Sequence, residues 1–156
     1  MSVYELDKLM SQARRLAADY RRATGRTLAI SGEIARADAI ALLALEPAPP
    51  EADGYDAVRI ANGSAEKLQI KARAVFGEQR GPHRLGQLKL EQPWDTTLLV
   101  LMDEDYQPTA IFEATRSAII AALEGSRANK RGSLSVGRFK MIGRCLWSRD
   151  GRQSAG

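Results

Sequence analysis

The sequence predicts an α/β fold in which a mixed β-sheet carries helices on both faces. Three observations carry that expectation. Two segments of helical periodicity come first, and two strand-rich arms flanking Asn62-Gly63 follow. Two continuous apolar runs, residues 96–102 and 109–113, come after them and suit central strands.

Within residues 3–23, Leu6, Leu9, Ala13, Leu16, Ala17 and Tyr20 recur at helical spacing, and Gly25 ends the pattern. That stripe is expected to be core. Arg14, Arg15, Arg21 and Arg22 lie mostly off it and read as a solvated face. A second helix opens at Ser31, which can cap it, and runs to about Leu45 before the break PAPPEADG. Glu33 is in line with Ala37, Ile40 and Ala44, which aims an acid toward the sheet. A buried carboxylate there needs a cation; the competing reading is an acid that complements the helix dipole.

Residues 55–73, YDAVRIANGSAEKLQIKAR, read as a β-hairpin. Side chains alternate along a strand, so Gln69 and Lys71 share a face while Leu68 and Ile70 point the other way. With the turn centred near Gly63 and Ser64, antiparallel pairing sets Asp56 opposite Lys71 and Val58 opposite Gln69. Asp56, Gln69 and Lys71 then converge, on condition that the register does not slip by one residue.

The next stretch, residues 77–94, is Gly-rich and basic, with Arg80, Arg84 and Lys89 beside the one histidine, His83. It reads either as a DNA-contacting loop or as ordinary surface. Asp103, Glu104 and Asp105 form an acidic turn between strands, and residues 115–123 form a small helix stopped by Gly125. Residues 127–144 carry six cations, Arg138 and Lys140 among them, around Phe139. Phosphate contacts from such a stretch would be independent of sequence and sensitive to salt. The alternative is a β-hairpin or final strand with solvated cations. Order is expected to fade after Trp147, leaving residues 151–156 as a disordered tail.

A chain of 156 residues, 44% hydrophobic, is long enough for one domain, placed at residues 1–150, with a core that needs no staples. The single Cys145 excludes an internal disulfide framework and a cysteine zinc cage. No run approaches the ~18 apolar residues of a membrane span, so a cytoplasmic protein with no membrane partner is expected. The net charge of +4 suits a polyanion without requiring one.

Glu33 on an early helix, then Gly54-Tyr55-Asp56, then Gln69-Ile70-Lys71 on a following strand, resembles the PD-(D/E)XK nuclease superfamily, the restriction-endonuclease-like fold. The likeness covers about residues 30–125. In that family an early helix contributes a Glu, one strand an Asp and the next an acid-x-Lys, and together they hold Mg²⁺ and activate water. Two departures stand out. Tyr55 precedes Asp56 where the family has Pro, and Gln69 replaces the acid, a variant similar to that of restriction enzymes that cut modified DNA.

The resemblance implies a metal-dependent DNA endonuclease of restriction, repair or junction-resolving type. Asp56 would be the main ligand for Mg²⁺ or Mn²⁺, Gln69 a neutral oxygen ligand, and Glu33 an outer or water-mediated acid. Lys71 would position water or stabilise charge at phosphorus. With one carboxylate fewer, one weakly bound cation is expected. A homodimer or a larger defence or repair assembly fits so small a domain. Two rivals remain open: a silent nucleic-acid-binding relative with a decayed metal site, and an interaction protein that uses the fold as scaffold.

Overall fold

The computed structural model describes residues 2–76, 84–124 and 134–151. The expectations for Arg80, His83, Gly125, Arg127, Lys130, Arg131 and residues 152–156 lie outside that set. The chain runs α1 (Val3–Thr24), α2 (Ser31–Leu43), β1 (Glu46–Pro47), β2 (Ala57–Ala61), β3 (Ser64–Ala74), β4 (Thr96–Met102), β5 (Pro108–Thr115), α3 (Arg116–Glu124), α4 (Val136–Ile142) and β6 (Arg144–Ser148). The six strands lie side by side in chain order, antiparallel everywhere except between β3 and β4. The sheet is therefore mixed, as the sequence predicts. Among the described residues no helix is long and apolar enough to cross a membrane.

Alternation sorts the core into two layers. Leu68 and Ile70 of β3 and Leu98, Val100 and Met102 of β4 pack against Ala17, Ile34, Ala35 and Ala39 of α1 and α2. Leu99 and Leu101 face the other way, onto Ile119 of α3, Phe139 of α4 and the segment holding Leu85, Leu88 and Trp94. Every residue of β4 is buried, which is why its sequence is apolar without alternation.

Three sequence expectations change here. Leu6, Leu9 and Leu16 are 47%, 43% and 58% exposed, so most of the α1 stripe is not core. The helix instead meets the body through its later turns: Ala17 and Ala18 are buried, Arg14 forms a two-pronged ion pair with Asp38 at 2.7 and 3.0 Å, and Arg21 stacks on Phe76 at 3.7 Å. Arg14 and Arg21 thus hold the helix down, where the sequence suggested a solvated face; Arg15 is exposed as expected. Ser31 is the first residue of α2, and the N-cap is Ile30, with no side-chain cap hydrogen bond. Finally, the stretch expected to form a hairpin or a final strand, fading after Trp147, does end in a final strand, β6, but it first forms the helix α4 and it stays ordered past Trp147. Ser135 caps α4 by accepting the Arg138 N–H, Ser148 pairs with Ala110, and the Arg149 N–H donates to Thr109 O at 2.9 Å.

Candidate active site

Asn62 and Gly63 both have positive φ, 52° and 78°, so they form the two-residue turn that matches strand twist, with Ala61 paired to Ser64. The register that follows sets Ala57 opposite Leu68 and Val58 opposite Lys67. It differs by two residues from the one expected for a turn at Gly63-Ser64. An even shift leaves every side chain on its original face, because the strand period is two. Asp56, Gln69 and Lys71 therefore still share a side, although Asp56 is not opposite Lys71.

Asp56 sits one residue before β2 and is held from several directions. Its N–H donates to Leu68 O at 2.8 Å, and its carbonyl accepts the Ala48 N–H at 3.1 Å. Arg36 of α2 also donates to that carbonyl, through Nε at 3.3 Å. One carboxylate oxygen, Oδ2, accepts the Ile70 N–H at 2.7 Å, and Oδ1 has no hydrogen bond among the described residues. Gln69 is 5% exposed. It pairs in register with Thr97 of β4, and its Nε2 donates to Thr97 Oγ1 at 3.0 Å. The amide nitrogen is thereby committed, and Oε1 remains.

Asp56, Gln69 and Lys71 line one cavity of about 320 Å³, together with Gly54, Lys89 and Gln92. Burial lowers the Lys71 pKa, as does the positive charge of Lys89, while Asp56 opposes them. Lysine is thus closer to losing its proton here than on an open surface. Asp56 and Lys71 both line the cavity, and among the described residues no ion pair closes between them.

The roof of the cavity comes from the segment before β4, which sequence reasoning did not connect to the site. Arg116, the first residue of α3, donates through Nη1 to the carbonyls of Gln92 (2.7 Å) and Trp94 (2.9 Å), and through Nη2 to Leu90 O. Its guanidinium lies 4.6 Å from the Trp94 ring centre, and Trp94 Nε1 donates to Lys89 O at 2.7 Å. Gly54 lets this roof come close. A Cβ on it would stand 2.6 Å from Gln92 Cβ, and its φ of +90° is itself unfavourable for other residues. Nothing local in the sequence marks Arg116 or Thr97, since both act across strands.

The remaining candidates are dispersed. Glu33 is exposed in the first turn of α2, one turn before Arg36, and is not among the cavity's lining residues. Arg84 is exposed at a bridge to Ser135. Arg138 and Lys140 are exposed on α4, with Lys140 Nζ 5.4 Å from the Phe112 ring centre. The acidic turn is structural: Asp103 accepts N–H bonds from Asp105 (2.8 Å) and Gln107 (3.0 Å) and pairs with Arg149, while Asp105 pairs with Arg22. Glu113, 9% exposed, pairs with Arg59 at 2.8 Å and Arg144 at 2.6 Å, and Arg59 also pairs with Glu66. These charges are matched within the fold.

The donor chemistry at the cavity fits one hard cation. A carboxylate oxygen and an amide oxygen are what Mg²⁺ or Mn²⁺ accepts, with waters completing its shell. Among the described residues no group of three or more His, Cys, Asp or Glu is placed to hold a metal. No family model and no curated protein matches this chain.

Proposed function

We propose that the chain is a restriction-endonuclease-like, metal-dependent endonuclease that hydrolyses phosphodiester bonds in DNA. The observation that carries this reading is the meeting of Asp56, Gln69 and Lys71 in one cavity beside Lys89. Asp56 Oδ1 and Gln69 Oε1 would hold Mg²⁺ or Mn²⁺. Such a cation supplies charge neutralisation at phosphorus and a water made nucleophilic near neutral pH. Lys71 and Lys89 hold the scissile phosphate between them. Water adds to phosphorus and gives up a proton to solvent, the P–O ester bond breaks and the leaving oxygen takes a proton from solvent, and Lys71 donates a hydrogen bond to the negative charge that develops. With Gln69 Nε2 donating to the Thr97 hydroxyl, Oε1 is the amide atom left for the cation. Arg84, Arg138 and Lys140 supply sequence-independent phosphate contacts farther out, and Glu33 belongs at most to the outer surroundings of the cation.

A supercoiled plasmid incubated with Mg²⁺ or Mn²⁺ tests the proposal. Nicking by wild type is expected. Lys71→Ala should lose activity by about 10²-fold or more, the scale of one electrostatic stabiliser, and Asp56→Ala should abolish it with DNA binding retained. Cleavage by Asp56→Ala at the wild-type rate would sink the assignment. Gln69, which leaves the cavity with a single carboxylate, favours one other reading, a silent nucleic-acid-binding relative. Wild type that binds DNA and neither cleaves it nor takes up Mn²⁺ at millimolar concentration would establish that reading instead.

A further inference from the structure

Among the described residues two buried side-chain polar atoms have no hydrogen-bond partner, Arg73 Nε and Tyr106 Oη. Buried donors are almost always paired, because an unpaired one loses its hydration with nothing in return. Both residues line a single cavity of about 330 Å³ between the α1–α2 connection and the end of β3. Tyr106 is 1% exposed. Burial pushes its pKa up from 10.0 against the opposing charge of Arg21, so the hydroxyl keeps its proton at neutral pH.

The rest of the wall has the same character. Among the described residues no carboxylate lines the cavity, and Arg21 stacks on the Phe76 ring that forms part of the wall. Ser31, also in the wall, opens α2, whose N-cap Ile30 makes no side-chain hydrogen bond. The N–H groups of that first turn have no acceptor within the helix and carry the positive end of its dipole. Glu33, the acid of the turn, is exposed and is not in the wall. Past Leu68 no strand of the described residues pairs with β3 on the β2 side. Ala72, another wall residue, turns its N–H to that open edge, as Ile70 does toward Asp56.

We propose that this cavity binds a phosphate group. A phosphate presents acceptor oxygens in several directions, so it can take donors that arrive from a helix start, a strand and a turn at once. A carboxylate presents its two oxygens in one plane. A buried water would satisfy Arg73 and Tyr106 but would leave the excess of positive charge unanswered. The inference is independent of the nuclease reading: β3 lends Gln69, Ile70 and Lys71 to the cavity of Asp56 and lends Ala72, Arg73 and Ala74 to this one, and no residue lines both.

Titration with inorganic phosphate, followed by amide NMR, tests it in a Lys71→Ala, Lys89→Ala background, so that phosphate drawn to the other cavity is not counted. The amide signals of Ser31, Gly32 and Ala72 should shift and saturate, while chloride at matched ionic strength leaves them in place. Arg73→Met should abolish the saturation. Tyr106→Phe deletes an oxygen with no partner in the fold, so the thermal midpoint without phosphate should hold. Phosphate affinity should nevertheless fall about tenfold, the scale of one hydrogen bond to a charged group. Competition reads the source of the phosphate. Displacement by a terminally phosphorylated oligonucleotide, but not by the same strand without that group, assigns a strand end; displacement by both assigns an internal strand phosphate, and by neither a free phosphate compound. Absence of shifts at Ser31 and Gly32 at tens of millimolar phosphate would overturn the proposal, as would an unchanged affinity in Tyr106→Phe. A lower midpoint for Tyr106→Phe without phosphate would overturn it too, by assigning the hydroxyl to a water held within the fold.

Discussion

Arg116 connects the cavity's roof to the sheet, and its removal has a calculable cost. In Arg116→Ala three main-chain carbonyls, those of Leu90, Gln92 and Trp94, lose a charged donor, and the Trp94 ring loses the cation above it. Hydrogen bonds to charged groups contribute roughly 1.5–3 kcal/mol each, but these sites are only partly buried and water recovers part of the loss, which leaves about 1 kcal/mol per carbonyl. The cation–π contact adds about 0.5–1 kcal/mol. The sum is about 3–4 kcal/mol. For a chain of this size each kcal/mol lowers Tm by roughly 2–4 °C, so a fall of roughly 6–16 °C is expected. Urea denaturation should show a lower midpoint with an unchanged slope. Arg116→Lys should recover only part of the loss, because an ammonium lacks the planar fork that reaches three acceptors at once. A loss below about 1 kcal/mol, or full stability in Arg116→Lys, would refute the reasoning.

Three further outcomes follow from the same geometry. Gln69→Glu places a second carboxylate beside Asp56, so calorimetric titration should show tighter Mn²⁺ binding and cleavage should persist at lower metal concentration; unchanged affinity would remove Gln69 from the ligand set. Gly54→Ala forces a Cβ to 2.6 Å from Gln92 at a φ of +90°, and a loss of about 1–3 kcal/mol in urea denaturation is expected, with weaker cleavage as the roof shifts; wild-type stability would contradict that contact. Burial works to raise the Asp103 pKa, but the Arg149 hydrogen bond and the N–H groups of Gln107 and Asp105 overcome it, and the net shift is downward from 3.8. Stability from that carboxylate is therefore present above its unfolded pKa and is lost as pH falls through the lower folded value. Wild type should exceed Asp103→Asn in stability at pH 7, with the gap closing in acid; a gap constant with pH would contradict the linkage.

The sequence by itself determined the parts of this protein that depend on periodicity. The run Thr96–Met102 read as a central strand, and it is one, buried along its whole length. Strand alternation alone placed Gln69 and Lys71 on one face, and Asp56 stayed on that side through a two-residue error in register because the strand period is two. Tertiary structure decided what depends on partners distant in the chain. Amphipathic spacing made the α1 stripe look like core, but spacing says only that a face is apolar, and the body meets α1 through Ala17, Ala18 and its arginines instead. The roof over Lys71 likewise rests on Arg116, 22 to 26 residues from the carbonyls it binds, and on the clearance left by Gly54. The Gln69 amide finds its hydrogen-bond partner in Thr97, 28 residues away. Contacts at such separations exist only once the sheet has closed, and so no window of sequence carries them.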